Sequence, residues 1–434
     1  MSTASFSRLG TANTYDNARS NLITRQTALS NLQEQLTSGK RVNTASDDPT
    51  AAAAAERALN RIGRIQTDQR ALEAQRSAIT QAESTLGDVT TALQSIRELV
   101  VSAGNGTYSL AERKSIAVQL SGLRDQVIAL ANRKDTNGLP LFGALSSALT
   151  PFVGPQGTAP KPDYTFNGLP GQTTSTEVAI PFVLDGDAAF MHQPARDSVF
   201  NAIVSNIPSS RTLRTDNVAV SNTALVSANA TLASAATGIP NSFPSYVVQF
   251  TAVDSTTVPG TTTATYSVTE TPAVSVPAVT PVTLSYPSNT AAPITGVPGL
   301  SFSVSGTPAV GDTITINANL SIFSVIDNAI RDIGSAANNN AAIQAVSQAL
   351  GNLDIGMARV SAIRGQAGDL LNRADSITAN QGKRSIQMES DRSRAEDLDM
   401  IKGISDFQNQ QTGYQAALQS YAQVQKLSLF NYIS

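Results

Sequence analysis

Hydrophobic residues recur every seven positions through the first quarter of the chain, and this period constrains the fold more than any other feature. The main series is Ile65, Leu72, Ile79, Leu86, Leu93 and Val100. Residues at the intermediate spacing are Ile62, Ala82, Val89 and Ile96. Alternating steps of three and four residues place these side chains on one stripe of an α-helix, as in a coiled coil. The pattern therefore predicts a long helix that packs against other helices.

Two further series of this kind predict more helices for the same bundle. The first is Ile116, Leu120, Leu123, Val127 and Leu130. The second is Ile343, Val346, Leu350, Leu353, Met357, Val360, Ala367, Leu371 and Ala374. The segment "AGNGTYS" after Val101 is typical of a turn between helices. We expect helices from near residue 50 to 132 and from 322 to 380 to form an antiparallel bundle.

The two ends of the chain carry amphipathic stripes that lack an obvious partner nearby in the sequence. The N-terminal stripe comprises Leu22, Leu29, Leu32 and Leu36. The C-terminal stripe comprises Ile404, Phe407, Tyr414, Leu418 and Tyr421, with Gln411 filling the gap in the spacing. Such stripes need an apolar surface to cover them, which predicts a terminal helix at each end.

The middle of the chain differs in both charge and period. Residues 151–320 contain only four Lys or Arg and nine Asp or Glu. The segments "YVVQFTAV", "TYSV", "VTLSYP" and "FSVSGTPAVGDTITI" alternate apolar and polar residues between Pro and Gly, which predicts short strands of a β-domain. Residues 205–240, rich in Ala, Ser, Thr and Asn, are expected to form loosely ordered loops.

The segment "QLTSGKRVNTASDDPTAAAAA", residues 35–55, predicts the end of one helix and the start of another. Gly39 suits a left-handed C-cap, and the residues after it have no helical stripe. Asp47 or Asp48 can serve as N-cap, Pro49 fits the first helical position, and the alanines that follow favour helix. Local physical chemistry thus explains this loop without a ligand.

Composition excludes several classes of function. The chain has no Cys and a single His, which removes Cys nucleophiles, thiolate metal sites and His-rich metal clusters. A net charge of −3 and an isoelectric point near 5.4 disfavour a general nucleic-acid binder. Neither a cleaved signal peptide nor a membrane-spanning segment is expected from the hydropathy pattern. We therefore expect no cofactor, no metal and no catalytic residue.

An enzyme housed in the middle domain is the alternative from a different class. Asp185 and Asp187 in "LDGDAAF" can in principle form a carboxylate pair or a site for a hard metal ion, but Asp-Gly-Asp is more typical of a turn. His192 has no Ser, Cys or acidic partner at a recognisable spacing, so a packing or surface role is expected.

Four motifs resemble the bacterial flagellin family, to which the hook-associated proteins belong. These are "LTSGKRVNTASDDPTAAAAAERALNRI" from Leu36, "ANRKDTNGLPLFGA" from Ala131, "GTPAVGDTITI" from Gly306 and the ending "KLSLFNYIS". Leu139 and Pro140 depart from the aromatic residue usual in the second motif. Pro49 after the two aspartates favours the family members that join the flagellar hook to its filament. The resemblance covers about 150 residues at the start and 115 at the end.

The resemblance implies an α+β multidomain fold, with a long antiparallel α-helical bundle and an inserted β-rich outer domain. The expected segments are a polymerisation helix and loop, one half of the bundle, the variable outer domain, the other half of the bundle and a second polymerisation helix. Their boundaries are 1–45, 46–150, 151–320, 321–399 and 400–434.

The same resemblance implies a structural role in the bacterial flagellum, as an adaptor ring joining hook and filament. The implied partners are further copies of the chain, a neighbouring hook-associated protein, flagellin, an export chaperone and the type III export apparatus, with no nucleic acid and no membrane insertion. The implied location is extracellular, after export without a cleaved signal peptide.

The resemblance also implies which residues mediate assembly. The implied subunit-interaction residues are Leu22, Leu29, Leu32, Leu36, Ile404, Phe407, Tyr414, Leu418, Tyr421, Leu429, Phe430 and Tyr432. The residues that carry the signature loop are Gly39, Asp47, Asp48 and Pro49. A flagellin filament subunit remains the nearest alternative, and an extracellular adhesin a more distant one, because heptads with a β-domain occur outside flagella.

Overall fold

The fold of the protein was obtained as a computed structural model. It describes residues 11–146, 149–156, 164–205, 212–274, 282–287 and 290–433, with side chains described between 16 and 423 of these. The helices are α1 Thr11–Ser38, α2 Pro49–Ala103, α3 Leu110–Ala131, α4 Gly186–Phe190, α5 Pro194–Asp197, α6 Thr223–Thr237, α7 Ile322–Ser335, α8 Asn339–Glu396 and α9 Met400–Ile433. The strands are β1 Phe152–Val153, β2 Thr165–Phe166, β3 Phe200–Ser205, β4 Arg214–Thr215, β5 Ala219–Val220, β6 Ser245–Asp254, β7 Thr261–Thr271, β8 Val282–Pro287, β9 Ala292–Ile294, β10 Leu300–Ser305 and β11 Thr313–Ala318.

The chain divides into two compact units. One unit, here called the terminal unit, comprises Met1–Arg70 and Ile377–Ser434. The other, the central unit, comprises Ala71–Ser376. Helices α2 and α8 each contribute a segment to both units.

The heptad series forms the apolar core of the helices in the central unit. Leu72, Ile79, Leu86, Leu93 and Val100 are all at most 2% exposed. Ion pairs join α2 to α8, with Glu83 at 2.7 Å from Arg364 and Arg97 at 2.9 Å from Asp354. Since residue numbers rise along α2 as they fall along α8, the two helices run antiparallel. The predicted antiparallel packing of the two flanks is confirmed.

The turn after α2 also follows its sequence. Helix α2 ends at Ala103, and Ser109 caps α3 by accepting a hydrogen bond from the N–H of Glu112, whose side chain accepts in return from the N–H of Ser109. Such a capping box satisfies two helix-end donors at once. Arg124 of α3 then pairs with Asp327 of α7, so the second helix of the hairpin packs on α7.

Two antiparallel sheets build the β-domain of the central unit. The larger has the strand order β3-β11-β6-β7-β8, and the smaller has β4-β10-β5 with β9 also paired to β10. Both sheets contribute to one core, which includes the fully buried Val248, Phe250, Val304 and Ile314. The strands predicted from the alternating segments are confirmed.

The prediction of loose loops over residues 205–240 is wrong for much of that segment. Helix α6 occupies Thr223–Thr237, and its N-cap Asn222 accepts a hydrogen bond from the N–H of Leu225. Gly238 ends the helix in the left-handed conformation, with φ of 69°. Because Val226 and Ala233 are buried on one face, tertiary packing and good caps stabilise a helix that has no strong apolar stripe. Residues 206–211 lie outside the described residues.

Three amide side chains of α8 bind the edge strand β3. Gln348 accepts a hydrogen bond from the N–H of Ala202 at 2.7 Å, and Gln344 donates to the carbonyl of the same residue at 3.0 Å. Asn352 donates to the carbonyl of Phe200 at 2.9 Å. These residues follow one another at four-residue intervals, so they share a helix face. The amides occupy the positions that a neighbouring strand would otherwise fill, and they fix the sheet on α8.

Replacing glycine by alanine is expected to have opposite effects on stability at two positions of α8. A methyl group at Gly365 would meet no atom within 4 Å, whereas one at Gly356 would lie 2.1 Å from Cδ1 of the buried Ile322. Gly365→Ala is expected to raise the free energy of unfolding by about 1 kcal/mol, because alanine favours helix. Gly356→Ala is expected to lower it by about 1–3 kcal/mol, because the core must shift. Urea unfolding of the monomer measures both changes, and equal signs would contradict the packing described.

Candidate assembly surface of the terminal helices

The signature loop, here Gly39–Pro49, ends α1 and starts α2 as the sequence predicts. Gly39 adopts φ of 71°, a conformation that glycine reaches without a steric penalty. Asp48 is the cap of α2, since its Oδ1 accepts hydrogen bonds from the N–H groups of Thr50 and Ala51 at 3.2 and 3.0 Å. Asp47 instead closes the loop by accepting from the N–H groups of Asn43 and Thr44. The two aspartates therefore have separate roles.

The electrostatics of the loop follow from these hydrogen bonds. The N–H of Ala51, followed by the hydroxyl of Thr50, lowers the pKa of Asp48 to about 2. The N–H of Thr44 lowers the pKa of Asp47. Both carboxylates are solvated, and they stay ionised at neutral pH because the donors around them favour the charged form.

The loop is fastened to the C-terminal part of the chain within the terminal unit. The carbonyl of Glu396 accepts hydrogen bonds from the N–H groups of Arg41 and Val42 at 2.7 and 3.3 Å, and the N–H of Leu398 donates to the carbonyl of Gly39 at 2.9 Å. The side chain of Glu396, itself buried, forms ion pairs with Lys40 and Arg392. We call this set of contacts the clasp.

The clasp provides a test of the connection between the two chain ends. Glu396→Gln removes both ion pairs and is expected to cost about 1 kcal/mol, since one partner of each pair is partly exposed. Hydrogen exchange at the amides of Arg41 and Val42 should accelerate accordingly. Asp391→Asn is the matched control, because it removes only the more exposed pair with Arg394 on the same helix. Equal exchange in the two variants would contradict the role assigned to Glu396.

Helices α1 and α9 pack against each other in the terminal unit. Asp399 starts α9 by accepting hydrogen bonds from the N–H groups of Ile401 and Lys402. Gly403 is buried where the helices approach closely, and a methyl group there would lie 3.2 Å from Cδ2 of Leu36. The terminal stripes that lack local partners in the sequence thus meet in the fold.

The structure separates the predicted subunit-interaction residues into two groups. Half-buried side chains are Leu22, Leu29, Leu32, Leu36, Phe407, Tyr414 and Tyr421. The exposed side chains are Ile404 and Leu418, at 47% and 42% exposure. The side chains of Leu429, Phe430 and Tyr432 lie outside the described residues, although the backbone of α9 continues to Ile433. The predicted C-terminal stripe therefore covers more than one helix face.

A continuous exposed face runs along α9 and carries no charged residue. We call it the outer face of α9, and it comprises Ile401, Ile404, Gln408, Gln411, Gln415, Leu418 and Ala422, all exposed. Ile401 is 86% exposed, and Ile23 of α1 is 53% exposed. The sequence prediction missed Ile401 and Ile23 because it followed only one stripe on each helix. The charged residues Lys402 and Asp406 lie off this face on the helical wheel.

The residues of the enzyme alternative have structural roles in the central unit. Asp185 caps α4 rather than forming the predicted turn, and its other carboxylate oxygen accepts a hydrogen bond from the N–H of Gly171. Burial, followed by the neighbouring Asp185, raises the pKa of Asp187. His192 is 6% exposed, and its ring nitrogens have no hydrogen-bond partner among the described residues. Capping of α4 and burial therefore describe the positions of Asp185 and His192.

Two other kinds of site are absent from the described residues. In the described part of the chain, no helix combines the length and apolar character needed to cross a membrane. Among the same residues, His, Asp and Glu side chains form no group of three or more that could hold a metal ion.

Two family models match the two flanks of the chain. The bacterial flagellin N-terminal helical region matches residues 10–146, and the bacterial flagellin C-terminal helical region matches residues 350–433. The chain belongs to the flagellin family. The matched flagellin regions include the signature loop, the α1–α9 pair and most of the helical bundle, and they exclude the β-domain.

Individual members of the flagellin family support this assignment. The flagellar hook-associated protein 3 of Salmonella typhimurium is 40% identical over 149 residues, which are 33% of this chain and 46% of that protein. The protein of the same name from Escherichia coli is 42% identical over 123 residues, which are 27% of this chain and 38% of that protein. The match thus spans less than half the length of both curated relatives.

A solved structure shares the fold over a larger part of the chain. The flagellar junction protein FlgL from Legionella pneumophila superimposes with a TM-score of 0.54 over 74% of this chain and 99% of that chain. Its sequence identity of 23% supports a common fold and no more. The predicted fold class, helical flanks around a β-rich middle, is confirmed.

Proposed function

We propose that this chain is a structural component of the bacterial flagellum, a junction subunit that joins the hook to the flagellin filament. The observation that carries the proposal is the outer face of α9, a long uncharged surface with three exposed large aliphatic side chains on a helix that the flagellin C-terminal model matches. Exposed large aliphatic side chains that share one uncharged face are typical of an interaction surface. The outer face of α9 lies next to the clasp, and the clasp contacts the signature loop.

The outer face of α9 and the similarity to flagellar proteins support the following partners. Copies of the chain associate side by side in a ring, each presenting the outer face of α9 to a different surface of its neighbour. The ring contacts a hook-associated protein on one side and flagellin on the other. In this scheme residues 1–45 and 400–434 drive assembly, 46–150 and 321–399 form the bundle, and 151–320 form the outer domain.

The proposal includes export of the chain to the cell exterior through the flagellar type III apparatus, with help from a chaperone and without a cleaved signal peptide. The absence of Cys supports it, since no disulfide has to be broken before an unfolded chain passes a narrow channel. The proposed role is structural and not enzymatic, with no cofactor or metal, and the capping role of Asp185 and the burial of His192 support it.

A deletion strain tests the proposal. Cells lacking the chain should build complete hooks but release flagellin into the medium, because filament growth has no adaptor on which to start. Electron microscopy counts the hooks, and immunoblotting of the medium measures the flagellin. Normal filaments in the deletion strain would refute the proposal.

A filament subunit is the second candidate, favoured by the match of both flanks to the flagellin models. This reading predicts that the purified chain polymerises into filaments of unlimited length when seeded. The junction reading predicts that addition to hook ends stops after a limited number of subunits. Counting bound subunits per hook end distinguishes the two.

A further inference from the structure

A small polar cavity lies inside the central unit, where the β-domain meets α7 and α8. Its volume is about 10 Å³, which is the space that one water molecule needs. The polar side chains that line it are Asn201, Asn319, Asn328, Asp332 and Asn352. The apolar side chains that line it are Val325, Ala329, Ala345 and Ala349. Buried polar groups that line such a space need hydrogen-bond partners, either in the protein or in the space itself.

Two of these asparagines leave hydrogen-bonding groups without a protein partner. Nδ2 of Asn328 donates to Oδ1 of Asn319 at 2.5 Å. The remaining atoms of the pair, Nδ2 of Asn319 and Oδ1 of Asn328, are buried and have no hydrogen-bond partner among the described residues. Asn319 is 1% exposed and Asn328 is 7% exposed, so bulk solvent does not satisfy either amide.

The count of unpaired groups does not depend on how the amides are oriented. Exchanging the nitrogen and oxygen of both side chains preserves the bond between Asn319 and Asn328 and again leaves one N–H group and one carbonyl unpaired. Exchanging only one would place two like atoms against each other. The cavity therefore faces one donor and one acceptor in either arrangement.

We infer that this cavity binds a single water molecule that bridges Asn319 and Asn328. The water accepts a hydrogen bond from one amide and donates one to the other, and the Asp332 carboxylate lines the same space for its second hydrogen. Water suits this lining better than an ion of either sign, because the lining residues supply amide donors as well as carboxylate and amide acceptors.

The site connects three elements and one link of the central unit, and it goes beyond the proposed function. Asn201 belongs to β3, Asn328 and Asp332 belong to α7, Asn352 belongs to α8, and Asn319 lies in the link between β11 and α7. Asn201 also donates to Asp332 at 3.0 Å, and Asn352 donates to the carbonyl of Phe200. The water completes this network, which fixes the base of the larger sheet on the helices.

A crystal structure of the full chain at about 1.5 Å resolution tests the inference. One density peak is expected within hydrogen-bond distance, about 2.7–3.2 Å, of an amide atom of both Asn319 and Asn328. A cavity without density would overturn the inference. So would a peak surrounded by six or more oxygens at about 2.3–2.6 Å, which indicates a calcium ion.

A solution measurement on variants gives a second test. Asn328→Leu removes one bridging group and fills part of the cavity, so a nuclear Overhauser effect between a long-lived water and the Asn319 side-chain amide should be present in the wild type and lost in the variant. The unfolding equilibrium constant should rise about tenfold, because the Asn319 amide is left unpaired. Asn319→Leu with Asn328→Leu should recover much of this loss. No water signal in the folded wild type would overturn the inference.

Discussion

Replacing Leu418 by Asp is expected to abolish assembly while leaving the fold of the monomer unchanged. Leu418 is 42% exposed on the outer face of α9, so a carboxylate there remains solvated in the isolated chain. In the assembled ring the same carboxylate would be buried against a neighbour without a partner, at a cost of several kcal/mol per subunit. Because every contact around a ring carries this cost, the loss multiplies with the number of subunits.

The measurement combines circular dichroism of the purified monomer with motility and release of flagellin by cells. Ser420→Asp is the matched control, since Ser420 is also exposed but lies on another side of the same helix. The control should swim normally. Leu29→Asp should differ from both, because Leu29 is half-buried and its substitution also weakens the α1–α9 pair. Normal motility of the Leu418 variant would show that the assembly contact lies on another surface. As a further control, the double change Asp185→Asn and Asp187→Asn should leave motility intact.

Acid is expected to destabilise the central unit through His192. Burial lowers the pKa of His192 to about 4 from an ordinary value of 6.5, and the nearby Arg359 guanidinium adds to the effect. Asp197, which pairs with Arg359 at 2.8 Å, opposes it. Asp187, whose own pKa is raised, also acts on Arg359. His192 is therefore neutral in the folded protein at pH values where the unfolded chain already binds a proton.

The direction of the pH dependence follows from proton binding. Between pH 6.5 and about 4 the unfolded state binds more protons at this residue, so stability is fully present above pH 6.5 and falls as the pH is lowered. A shift of this size corresponds to about 3 kcal/mol. His192→Phe preserves a ring of similar shape and should remove the contribution of His192 to the pH dependence of stability. The readout is the difference in free energy of unfolding between wild type and variant, measured by urea at pH 7 and pH 4.5.

The wild type and His192→Phe contain the same carboxyl groups. The difference between their free energies of unfolding at each pH therefore removes the contribution of those groups. The raised pKa of Asp187 acts with the opposite sign, since protonating a carboxyl group whose pKa is raised on folding favours the folded state. If His192→Phe does not fold, His192→Leu serves in its place. An unchanged acid dependence in the variant would show that His192 is not neutral and buried as described.

Much of the architecture is predictable from local patterns. The seven-residue period from Ile65 to Val100 predicts α2 and its buried stripe, because side chains at that spacing must share a helix face. The caps at Gly39 and Asp48 are predictable because glycine and aspartate satisfy helix ends through their own chemistry. The strands of the β-domain are predictable because alternation in a half-buried sheet has a period of two.

The candidate site was predictable only in part. The sequence indicates terminal helices with apolar residues, but it treats Phe407 and Leu418 as one stripe. Eleven residues make almost three full helical turns, so Phe407 and Leu418 lie close together on the helical wheel, yet Phe407 is half-buried and Leu418 is exposed. Which of them is available to a neighbouring subunit depends on where α1 packs.

By itself the sequence determined the family, the long helices and the β-rich middle, because periodicity, caps and motifs are encoded by residues close together in the chain. The tertiary structure decided what depends on residues far apart. The clasp joins Arg41 to Glu396, the amides of α8 bind β3, and burial lowers the pKa of His192. No local pattern specifies these contacts, because each arises only when folding brings distant polar groups into one desolvated place.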